Sequence, residues 1–130
     1  MFLIDSSVWV DYFNGVDSNK TNLLYTFLEY QSILLGDVIL AEVLQGIDKD
    51  DDYDKVKEYF SWLDCVSLVG RENAIRSSAN YRFLRSKGVT IRKTVDMLIG
   101  SWCIENKISL LHNDKDFDRI AMYLPLEIVK

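Results

Sequence analysis

The chain has 130 residues, 48% hydrophobic and 27% charged, with a formal net charge of −5. That length suits one domain with a real core, and the composition is ordinary for a soluble globular protein. No apolar run approaches the roughly 20 residues that span a bilayer, and the acidic balance argues against coating nucleic acid by charge alone.

Phe2-Leu3-Ile4 reads as a short buried strand. Ser6 or Ser7 then caps a helix with Val8, Trp9, Tyr12 and Phe13 facing inward, stopped by Gly15. Asn22 to Tyr30 is predicted helical, Ile33 to Leu35 a second strand, and Val38 to Gly46 and Tyr53 to Leu63 two more helices. Val66 to Val69 makes a third strand, and Glu72 to Arg85 a long helix ended by Gly88. Thr94 to Asn106 is apolar at nearly every turn and is predicted to be the central buried helix. Ile108 to Leu111 is a fourth strand, Phe117 to Tyr123 a short helix and Leu126 to Val129 a final strand. Short strands alternating with helices indicate an α/β fold, a short central parallel sheet flanked by helices on both faces. With a single Pro and no low-complexity tract, residues 1–130 form one domain without internal repeats. No basic segment followed by an apolar one marks a signal peptide, so a cytoplasmic location is expected.

Two cysteines, Cys65 and Cys103, lie far apart in apolar surroundings and are expected to be buried free thiols. With one His and no CxxC pair, a zinc site lacks its usual ligands. The run Asp48 to Asp54 carries Tyr53 where a calcium loop needs Gly, so it is read as a solvated acidic connection. Trp9, Tyr12, Phe13, Tyr59, Phe60 and Trp62 are mainly core, some of them also suited to an apolar groove.

Four acids carry the functional signal. Asp5 ends the first strand, Asp114 follows Ser109-Leu110-Leu111, Asp96 opens the central helix, and Glu42 lies in the run Val38 to Leu44. Taken singly, Asp5 is a helix cap, Asp96 a complement to a helix dipole, Glu42 a surface residue and Asp114 a turn former. Carboxylates at the ends of hydrophobic elements can converge at one rim of a parallel sheet, where ligands bind in open α/β folds. Their mutual repulsion would be relieved by a hard divalent cation with oxygen ligands, Mg²⁺ or Mn²⁺. Arg82, Arg85, Lys87, Arg92 and Lys93 form the densest basic stretch, immediately before Asp96, where Arg92 and Lys93 would position a phosphate backbone.

In this order, Phe2-Leu3-Ile4-Asp5-Ser6-Ser7, Glu42 within Ala41 to Gly46, Gly88 to Asp96, and Leu111 to Phe117 resemble PIN-domain proteins, specifically the VapC-type toxins of bacterial toxin–antitoxin pairs. The resemblance covers essentially the whole chain and implies a PIN-like fold and a Mg²⁺-dependent endoribonuclease, with Mn²⁺ able to substitute. It implies Asp5, Glu42, Asp96 and Asp114 as the catalytic and metal-binding quartet, Asp116 as a less regular acid behind it, and Ser6 or Ser7 as the hydroxyl beside Asp5 that helps hold the site, with Ser6 also contacting the substrate. Water activated by the metal would attack phosphorus and leave a 5′-phosphate and a 3′-hydroxyl. The lone His112 cannot supply the two-His pair of a metal-free RNase. The resemblance also implies a tRNA or other structured RNA substrate, a homodimer, and a cognate antitoxin whose C-terminal tail lies across an apolar groove.

Two other classes compete. A phosphotransfer protein using Asp5 as nucleophile would want a second Asp two residues later, where Ser7 stands. A catalytically silent module binding RNA or protein would not need the intact quartet.

Overall fold

The computed structural model describes residues 1–30 and 32–130. Leu3 and Ile4 of β1 (Phe2–Ile4) and Leu110 and Leu111 of β4 (Ser109–Leu111) are all fully buried. Successive side chains of a strand point to opposite faces, so both faces of the sheet are covered. With β2 (Ile33–Gly36) and β3 (Cys65–Val66), the strands run parallel in the order β3-β2-β1-β4. Around them pack α1 (Ser6–Phe13), α2 (Asn19–Glu29), α3 (Asp37–Gln45), α4 (Asp50–Phe60), α5 (Arg71–Ser86), α6 (Thr94–Asn106) and α7 (Lys115–Ala121).

This order positions the site. The chain builds β2 and β3 on one side of β1, then returns through α5 and α6 to lay β4 on the other side. The reversal between β1 and β4 is a topological switch point, and the residues leaving those two strands, Asp5 and His112 to Asp114, face one crevice. The backbone pairing is tight there, with Asp5 N–H donating to Leu111 C=O at 2.9 Å.

The α/β architecture is as the sequence predicts, and α6 has the predicted bounds. Several local expectations need correction. The third strand ends at Val66 because the backbone beyond it is claimed by side chains. Leu68 N–H donates to Asp37 Oδ1 at 2.9 Å, and Leu68 C=O accepts from Asn73 Nδ2 at 2.7 Å. Leu126 to Val129 forms no strand; it touches β4 through a single parallel bridge, Leu110 to Ile128. Leu126 N–H turns back onto Leu124 C=O at 2.8 Å, and the pairing that follows is confined to Leu110, whose N–H donates to Glu127 C=O and whose C=O accepts from Val129 N–H, both at 2.9 Å. Helix α2 starts earlier than expected because Ser18 and Thr21 form a reciprocal capping box. Asp50, Asp51 and Asp52 are not a loop but the first turn of α4, where acids complement the helix dipole. The first helix is capped by Asp5 rather than by Ser6 or Ser7. Cys103 is buried, its thiol pushed up to about 12 by that burial, but Cys65 is exposed on the edge strand β3. Trp62 is 82% exposed and is not core.

Gly36 ends β2 against Leu68, which is fully buried. A Cβ at position 36 would come within 2.8 Å of Leu68 Cγ. Gly36→Ala is therefore expected to cost about 1–3 kcal/mol by overpacking, read as a lower urea midpoint. An unchanged midpoint would show that Leu68 can yield despite its tethered backbone.

Candidate metal centre

Each acid reaches the crevice by a different local device. Asp5 leaves β1 and caps α1, its Oδ2 accepting from Ser7 N–H at 3.2 Å and from the Ser7 hydroxyl at 2.6 Å. The same hydroxyl accepts from Asn113 N–H at 3.0 Å, so Ser7 stitches the end of β1 to the loop after β4. Of the two candidate serines, Ser7 holds Asp5, while Ser6 favours the charged form of Glu42. Asp114 caps α7, its Oδ1 accepting from Asp116 N–H at 3.0 Å. Asp96 lies in the first turn of α6 and is 4% exposed, as is Asp5. Glu42, on α3, is half-buried.

Asp96, Asp114 and Asp116 each present a carboxylate oxygen within 4.8 Å of the other two. Asp5 and Glu42 join them electrostatically. Burial raises the Asp96 carboxyl to about 7, with the charges of Asp5 and Asp114 adding and Lys93 opposing. Burial also raises Asp5, against its Ser7 hydrogen bonds and with help from the Asp114 charge. Glu42 is raised by burial and by Asp5, and eased by Ser6 and Lys93. Five acids thus share one crevice with too little positive charge to balance them.

Asp96 Oδ2 and Glu42 Oε1 are buried without a hydrogen-bond partner. A buried carboxylate oxygen left unpaired is costly, and a hard cation ligated by oxygen would satisfy both atoms and the crowded charge. The donor set, carboxylates with no thiolate, fits Mg²⁺ or Mn²⁺. His112 is not part of that set. Its Nδ1 accepts from Asp114 N–H at 3.0 Å, and burial lowers its pKa, so it props the loop as a neutral ring.

The basic candidates separate. The charge of Lys93 reaches Asp96 and Glu42, whereas Arg92 lines a cleft between α5 and α6. Lys87 lies 5.6 Å over the Phe83 ring, and Arg82 and Arg85 are exposed on α5. Two contributors go beyond the sequence expectations. Asp116 is close enough to ligate with Asp96 and Asp114 rather than standing behind them. Arg119 Nη1 donates to Asp116 Oδ1 and to Thr90 C=O, both at 3.2 Å, tying α7 to the loop that carries Lys93. The i, i+3 spacing of Asp116 and Arg119 on a helix was the available signal.

Ser7→Ala removes both the short bond to Asp5 and the link to Asn113. It is expected to weaken divalent-cation binding about tenfold, the usual scale for losing a partner behind a metal ligand. Calorimetric titration checks this, and affinity within twofold of wild type would count against the role.

A parallel sheet with acids converging at the switch point, fed by β1, α3, α6 and the turn after β4, is the arrangement of a PIN domain. The PIN-domain profile matches residues 2–122, and the chain belongs to that family. Ribonuclease VapC11 of Mycobacterium tuberculosis is 28% identical over 129 residues, covering 98% of this chain and 96% of that protein. Among solved structures, the chain is similar in fold to one in VapBC2 of Rickettsia felis bound to a promoter DNA fragment. The TM-score is 0.77 at 21% identity, covering 98% of this chain and 96% of that one. VapC20 of Mycobacterium tuberculosis, a toxin that cleaves the sarcin-ricin loop, shares the fold with a TM-score of 0.64 at 11% identity, covering 95% and 96%.

Proposed function

We propose that this chain is the toxin of a toxin–antitoxin pair, an endoribonuclease that hydrolyses RNA phosphodiester bonds with the help of Mg²⁺. The observation that carries this is the trio Asp96, Asp114 and Asp116, its oxygens within 4.8 Å of one another and Asp96 Oδ2 buried without a partner. Relatives named as VapC ribonucleases, matching nearly end to end, support the same function. Asp5, Asp96, Asp114, Asp116 and Glu42 would hold the cation. When bound, it supplies positive charge to the phosphate and acidifies water.

The chain's own residues do the rest. Ser7 fixes the Asp5 carboxylate, and Arg119 fixes Asp116. Lys93 offsets the acid charge at the crevice, and with Arg92 it meets the RNA backbone. Ser6 favours the charged form of Glu42. Structured RNA such as tRNA is the substrate class, and a homodimer is the working form.

An antitoxin partner finds a suitable surface along α1 and α3. A groove of about 720 Å³ there has Val10, Phe13, Val43, Ile47, Val56 and Tyr59 among its lining residues, with Asp48, Lys49, Asp52 and Lys55 at its rim. That combination suits one apolar face of a partner segment with charges beside it.

The test is incubation of end-labelled total tRNA with the purified chain, with Mg²⁺ or with EDTA. Discrete cuts with 5′-phosphate ends that vanish in EDTA are expected. Cyclic-phosphate ends, or cutting that persists in EDTA, would refute a metal-dependent hydrolysis.

A further inference from the structure

We propose that the cleft between α5 and the first turns of α6 holds an unpaired base of the RNA, beside the phosphate handled at the acidic crevice. This rests on the nuclease function above and adds a base-selecting subsite to it.

The cleft has a volume of about 390 Å³ and is bounded by Ile91, Met97 and Leu98 on one side and by Ser77 and Tyr81 on the other, with Arg92 among its lining residues. Apolar walls with a few polar groups are the usual make-up of a small-ligand site. Unpaired bases are held in this way, by stacking on aromatic rings and by hydrogen bonds along their edges. Tyr81 supplies a half-buried ring, and Ser77, only 4% exposed, brings a hydroxyl to the wall. Ser78 Oγ already donates to Ile75 C=O at 2.7 Å, which leaves it an acceptor. Arg92 is exposed and offers a planar cation for a phosphate or for the face of a base.

Position favours RNA over another occupant. Thr94, Met97 and Leu98 follow helical i, i+3, i+4 spacing and line the cleft, while Asp96 projects from the opposite flank of the same two turns. The cleft and the acidic crevice are therefore separated by about the width of one helix, roughly 10 Å, a span that a nucleotide and its neighbouring phosphate cover. The loop joining the two sites carries Arg92 toward the cleft and Lys93 toward the acids. A strand crossing that loop would meet a cation at each step.

The experiment measures binding rather than cutting. Fluorescein-labelled hexaribonucleotides of a single base, with an abasic hexamer as control, are titrated in EDTA against wild type and Ser78→Phe. Position 78 is exposed, so the substitution fills the cleft from outside and folding is checked by circular dichroism. Wild type is expected to prefer one base over the abasic hexamer by about tenfold, and Ser78→Phe to bind all of them like the abasic one. Equal binding of every hexamer by wild type overturns the subsite, as does a preference that survives Ser78→Phe. A change of oligomeric state in Ser78→Phe with the preference intact also overturns it, assigning the cleft to a protein contact. Base-selective binding, lost in Ser78→Phe, by a protein that cuts no RNA would refute the nuclease function and leave the subsite standing.

Discussion

Asp96→Asn is expected to abolish RNA cleavage, by at least about a thousandfold, while making the metal-free protein more stable at pH 8. The activity loss follows from removing a charged donor at the centre of the acid trio, where electrostatic stabilisation is the largest contribution to rate. The stability gain follows from linkage. Burial and neighbouring acids raise the Asp96 carboxyl to about 7, above its ordinary value of 3.8. A carboxyl raised on folding contributes stability that is fully present below about 3.8 and is lost as pH climbs through about 7. At pH 8 the metal-free protein thus holds a buried charge it would rather neutralise, and Asn removes it. A melting temperature at least about 5 °C above wild type at pH 8 is expected in EDTA, with the difference vanishing near pH 4. Mg²⁺ should reverse the order, since it stabilises only the wild type by mass action. A variant less stable than wild type at pH 8 in EDTA would mean that the crevice is not under the electrostatic strain described.

Trp9→Ala is the second large effect. Trp9 is fully buried, with ring centroids 4.9 Å from Phe60, 5.7 Å from Phe13 and 6.4 Å from Tyr59, knitting α1 to α4. Deleting it leaves a cavity and forfeits these contacts, for about 3–5 kcal/mol. That is a large share of the 5–15 kcal/mol typical of a domain. Trp9→Phe should cost clearly less, because Trp9 Nε1 is buried without a partner and its loss removes an unmet donor. Urea unfolding of the two variants separates these contributions. Equal losses in both would mean that a phenyl ring recovers none of the indole's packing. The consequence reaches the site, since α1 is the helix capped by Asp5.

The sequence made the acids legible because each one interrupts an apolar run at an element end, and parallel topology then carries such ends to one rim. The division of labour within the rim was less legible. Ser6 and Ser7 are equivalent as text, and only the approach of Asn113 across the β1–β4 junction selects Ser7 for Asp5. The resemblance sets Asp116 behind the quartet as a less regular acid, whereas the fold brings its carboxylate within 4.8 Å of those of Asp96 and Asp114. Arg92 and Lys93 are neighbours in sequence, yet the loop before α6 sends them to different sites. Trp62 escapes the core because α4 ends at its C-cap Ser61, so the helical periodicity that buries Phe60 does not reach it. Cys65 is exposed because β3 lies at the sheet edge, which strand pattern alone does not reveal. The shortness of β3 was equally hidden, since it depends on Asp37 and Asn73 capturing Leu68 from other elements.

The most direct measurement of whether the acidic crevice is a divalent-cation centre is a Mn²⁺ titration followed by electron paramagnetic resonance, on wild type and on Asp96→Asn at pH 7.5. At least one Mn²⁺ tightly bound per wild-type chain, displaced by Mg²⁺ and lost in Asp96→Asn, is the predicted result. Mn²⁺ that stays free in wild type, or that binds Asp96→Asn equally well, would contradict the account.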